Sequence, residues 1–107
     1  MLSKLGITGA VIERIARKSG YTLRLKPTMT LADTPLSLSD TKIRRLVNNL
    51  RKFMKGERPA ASLEKTEVVG AKNVRGVVTL LIDKIRKESV DSSEADQLIS
   101  DSQQVAS

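Results

Sequence analysis

Six cations and no acid fall between Thr41 and Gly56 of this 107-residue chain. At helical spacing, Lys42, Arg45, Asn49 and Lys52 share one line. Arg44, Asn48, Arg51 and Lys55 share the adjacent line. Lys and Arg neutralise phosphates, and Asn and Arg read base edges from a helix lying in a major groove. An ordinary solvated face mixes both signs of charge, and this one carries a single sign. The chemistry it points to is recognition of a polyanion: nucleic acid first, DNA ahead of RNA, and an acidic protein surface second.

Further cations can extend that surface. Val69-Gly70-Ala71-Lys72-Asn73-Val74-Arg75-Gly76 sets Lys72 and Arg75 among glycines at the start of a helical pattern. Exposed N–H groups at such a start attract anions. The spacing is not that of a Walker A loop. The simpler account is a glycine turn and a helix cap, with Gly76 present for close packing. Arg24 and Lys26 fall on an alternating stretch and could grip phosphates from an arm.

Catalysis has less to work with. The chain lacks both His and Cys. Thiolate and imidazole metal sites, disulfides and every dyad that needs either residue are excluded. The acids of the first 87 residues are scattered, with Glu64 and Glu67 the only close pair. The expectation is a protein that binds and is not an enzyme, without cofactor or metal. Tyr21 and Phe53 are the only aromatics, a poor platform for stacking the bases of a single strand.

Charge is also divided along the chain. The net charge is +7, made of +12 over residues 1–87 and −5 over residues 88–107. The expected organisation is a basic helical domain, 1–88, and an acidic Ser-rich tail, 89–107. That tail is either disordered or a short docking helix, since Ser93-Glu94-Ala95-Asp96 matches a capping box ahead of Leu98 and Ile99. An acidic tail could compete for the basic face and tune affinity.

The elements that position these residues follow from periodicity. Residues 8–19 predict a helix capped by Thr8, with Val11, Ile12, Ile15 and Ala16 on one face and Gly20 as its stop. Tyr21, Leu23 and Leu25 then alternate with polar residues, as do Met29 and Leu31, which leaves room for a small hairpin in 21–38. The stretch Lys18-Ser19-Gly20-Tyr21-Thr22 resembles the turn of a helix-turn-helix unit. Leu23-Arg24-Leu25-Lys26-Pro27 departs from it, and a basic hairpin arm fits equally.

Residues 40–55 form the clearest helix, with the stripe Ile43, Leu46, Val47, Leu50, Phe53 and Met54, a cap at Ser39 or Asp40, and Gly56 as its end. Within residues 57–72, Glu64 through Val69 reads as a short strand or a loop. Asn73 caps a last helix, 74–88, with the stripe Val74, Val77, Val78, Leu81, Ile82 and Ile85.

The expected fold is therefore mainly α: a bundle of three helices, or four with the tail, and a short β-hairpin between the first two as an option. An aromatic-poor core of Leu, Ile, Val and Ala suits helix packing. No apolar run reaches the ~20 residues of a membrane span. Residues 1–20 are weakly amphipathic and basic like a transit peptide, but Glu13 and the early glycines oppose that. The expected location is cytoplasmic, and a homodimer is compatible with all of this.

Overall fold

The computed structural model describes residues 1–104. It contains five helices: α1 Lys4–Ser19, α2 Asp40–Glu57, α3 Lys65–Ala71, α4 Val74–Arg86 and α5 Ser92–Ser102. The expectation of three or four helices with a hairpin is corrected on both counts. No strand occurs among the described residues, which hold a single isolated bridge between Thr30 and Asn73.

The hairpin fails because the backbone of 21–38 is used elsewhere. The carbonyls of Met29 and Pro27 accept the N–H groups of Val74 and Arg75 at the start of α4, both at 3.0 Å. Leu25 exchanges both its backbone groups with the Gln103 side chain, at 2.6 and 2.7 Å. Leu31 donates to the carbonyl of Lys72. The segment is a strap that caps α4 and ties down the end of α5. Its alternation does not survive either: Leu25 is buried while Leu23 is 69% exposed. Nor does a recognition helix follow α1. The next helix begins twenty residues beyond Gly20, so the helix-turn-helix likeness ends at the turn.

Local chemistry sets the helix ends. α1 starts earlier than Thr8, because the Ser3 hydroxyl accepts the Gly6 N–H at 3.1 Å. Thr8 is buried inside the helix and donates to the Lys4 carbonyl. Gly20 stops α1 in the left-handed conformation, φ 72°. α2 is capped by Ser39 and runs through Gly56 to Glu57. α3 replaces the expected strand or loop. Glu67 accepts the backbone N–H of Glu64 at 2.9 Å, half of a capping box that the close acid pair makes. Asn73 caps α4 through the Gly76 N–H, and Asp91, rather than Ser93, caps α5 through Glu94.

The core forms where the stripes meet. α4 buries Val74, Val77, Val78, Leu81, Ile82 and Ile85 completely, the whole stripe its spacing predicts. α1 contributes Ile7, Val11 and Ile15, and α2 contributes Leu46, Val47, Leu50 and Met54. α1 packs against α2, α4 and α5, so α2 and α5 lie on different sides of it and do not touch each other. The strap adds Leu25, Leu31, Leu36 and Leu38 to the same core. No helix among the described residues is long and apolar enough to cross a membrane.

Candidate nucleic-acid interface

Burial of Leu46, Val47, Leu50 and Met54 fixes how α2 is rotated, and the opposite side faces water. On that side Lys42, Arg45, Lys52 and Lys55 are exposed, and their side chains have no hydrogen-bond or ion-pair partner among the described residues. Their Cα positions span about 20 Å along the helix at its standard rise.

The remaining polar residues of α2 are engaged. Arg44 pairs with Asp40 at 3.2 Å. Arg51 donates through Nε to the Leu63 carbonyl at 2.6 Å and through Nη1 to Asn48 Oδ1 at 3.3 Å. Its Nη2 lies 3.8 Å from Glu64. Asn49 Oδ1 accepts from Arg14 Nε of α1 at 3.1 Å. Asp40 also binds Lys65, whose hydrogen bond is the main cause of a lowered Asp40 pKa.

α1 adds two cations beside α2. The helices run antiparallel: the Leu2 N–H meets Glu57 at one end, and Arg14 reaches Asn49 further along. The Arg14 guanidinium also sits 4.7 Å from the centre of the Phe53 ring and binds the Ala10 carbonyl. Lys18 lies one turn beyond Arg14 on α1. Sequence reasoning did not place Arg14 or Lys18 on this face. A signal existed: Glu13 takes Arg17 at i, i+4, which leaves Arg14 and Lys18 without an acid on their own helix.

The other predicted residues do not all join the α2 line. Arg24 donates to the carbonyl and hydroxyl of Ser100 on α5, at 2.9 and 2.7 Å. Arg75 makes a two-pronged pair with Asp96 of α5, at 2.6 and 2.9 Å. Arg75 thereby holds the Asp96 carboxyl below its ordinary pKa. Both arginines thus lie under α5, away from α2. The acidic helix contacts them and Lys4, not α2, so competition of the tail for the α2 face is not what the fold displays.

Lys26 and Lys72 are exposed and have no side-chain partner among the described residues. Lys72 sits at the α3–α4 junction with φ 67°. It lines a cleft of about 210 Å³ together with Leu31, Ile43 and Val69.

The glycine turn before α4 is a packing device. A Cβ on Gly76 would lie 2.1 Å from the Ala71 carbonyl oxygen. The N–H groups of Val74, Arg75 and Gly76 already bind Met29, Pro27 and the Asn73 side chain. They are not presented to an anion. Among the described residues no group of three acids is arranged to hold a metal ion.

No protein-family model, no curated protein and no solved structure matches this chain.

Proposed function

We propose that this protein is a small, non-enzymatic nucleic-acid-binding factor, regulatory or architectural, that docks on DNA through α2. One observation carries the reading. Lys42, Arg45, Lys52 and Lys55 stand on one exposed helix face without an acidic partner, in a chain that pairs most of its other cations internally. Unpaired exposed cations in a row raise the local potential and release counterions when they meet phosphates. Arg14 and Lys18 widen the row toward α1.

The test is a fluorescence anisotropy titration of the full chain with mixed-sequence duplex DNA, duplex RNA and a single strand at low salt. The expected result is micromolar or tighter binding to duplex DNA. Binding no tighter than millimolar to every nucleic acid would overturn the reading. It would favour an adapter, inhibitor or assembly factor for an acidic protein. The cleft of Ile43 and Val69 beside Lys72 supports that second reading, because Val69 leaves 48% of its surface exposed there.

A further inference from the structure

We infer that α2 binds duplex DNA independently of base sequence, riding on the phosphate backbone instead of entering the major groove. The inference rests on the proposal that α2 is the DNA-contacting element, and it fixes how that element reads its ligand.

Two observations carry it. The first is which side chains are committed. Base edges are read from a helix chiefly by Asn, Gln and Arg with two-pronged geometry, whereas Lys meets phosphate as a point charge. α2 carries five such readers: Arg44, Arg45, Asn48, Asn49 and Arg51. Four already have a partner within the protein. Asn49 Oδ1 is taken by Arg14, and Asn48 Oδ1 by Arg51. Arg51 also donates to the Leu63 carbonyl, and Arg44 makes an exposed ion pair with Asp40 one turn earlier. What stays unpartnered on the face is three lysines and Arg45, a set suited to phosphates.

The second observation is the height of the neighbours. A major groove is about 12 Å wide and 8.5 Å deep, and a helix with its side chains is about 10–12 Å across. A recognition helix must therefore stand clear of its own protein by most of its diameter. α2 does not. On one flank α1 reaches the level of its polar residues, because Arg14 touches both Asn49 and Phe53. On the other flank the chain after α2 rises to Arg51, through the Leu63 carbonyl and Glu64. The open face of α2 is thus bordered on both flanks by its own protein. A face of mostly lysine point charges bordered in this way binds through the sequence-independent backbone term.

The experiment compares equal-length duplexes, A·T-rich, G·C-rich and mixed, by anisotropy at one low salt concentration, with wild type and the variants Lys52→Ala and Asn48→Ala/Asn49→Ala. The expected result is affinities within about threefold across the duplexes, since a single wrong base pair costs a specific reader about tenfold. Lys52→Ala weakens all of them by the same factor, and the double asparagine variant stays within about twofold of wild type. A preference above tenfold for one duplex that the asparagine variant removes would overturn the inference while leaving α2 as the DNA-binding element. Tighter binding to a single strand than to any duplex would also overturn it. No binding to any duplex would overturn the proposed function as well.

Discussion

Arg75 and Asp96 show how a charged pair ties two helices of this protein together. Their two-pronged contact fixes α5 to the start of α4, and it lowers the Asp96 pKa through the guanidinium hydrogen bonds. Asp40, Glu67 and Glu88 are lowered in the same direction by Lys65, Lys84 and Arg86. A carboxyl whose pKa is depressed by folding stabilises the fold above its ordinary pKa. That contribution is lost as pH falls through the depressed value. The protein should therefore lose stability progressively below about pH 4. Asp96→Asn should lower the urea midpoint at neutral pH and should lose less than wild type on acidification. An acid limb as steep in the variant as in wild type would separate Asp96 from this effect. Lys42, Arg45, Lys52 and Lys55 are the contrast, since no comparable internal contact holds them. Sequence identified all four as candidates. Helical spacing alone could have paired Arg44 with Asp40 and Asn48 with Arg51, but not Asn49 with Arg14 or Arg51 with the Leu63 carbonyl, whose partners lie on another helix or twelve residues away.

At the scale of elements, local pattern was a good guide where one face is apolar over several turns. α2 and α4 were legible in their stripes, and the caps at Ser39 and Asn73 fall where the side chains suggest. The hairpin failed where the backbone found partners remote in sequence, whereas α3 was missed although its Glu64–Glu67 cap is local. The alternation of Tyr21, Leu23 and Leu25 pointed to a hairpin, but Pro27 and Met29 bind α4 and Leu25 binds Gln103. The α3–α4 junction was legible as a glycine turn and a helix cap with Gly76 packed closely, and the structure has both. Gly76 admits no side chain because the Ala71 carbonyl is already there, whereas a Cβ on Gly70 meets nothing within 4 Å. Gly76→Ala should then destabilise by about 3 kcal/mol or more, as overpacking against backbone does. Gly70→Ala should be neutral or stabilising by up to about 1 kcal/mol through helix propensity. Urea unfolding followed by circular dichroism measures both. Equal effects of the two substitutions would contradict the packing role of Gly76.

At the scale of the whole molecule, the division of charge along the chain becomes a division in space. Glu94 and Asp96 of α5 pair with Lys4 of α1 and Arg75 of α4, and α5 makes no contact with α2. The α2 side keeps its surplus. Such an asymmetric field orients a protein toward a polyanion before contact and makes its affinity sensitive to salt. Net charge pointed to a polyanion partner, and the acid-free run 42–55 pointed to α2 as the candidate face. Which cations of that face stay unpaired depends on the fold. The central claim is that four unpaired cations of α2 carry the binding, and the salt dependence of duplex DNA affinity tests it most directly. For wild type, log K should fall against log salt with a slope near −4, or near −5 if Arg14 and Lys18 also engage, at about 0.9 per neutralised phosphate. In the folded variant with Lys42, Arg45, Lys52 and Lys55 all changed to Ala, the slope should shrink to about −1 or flatter, or to about −2 if Arg14 and Lys18 engage, with most of the affinity lost. A folded variant that binds with the wild-type slope would contradict the account.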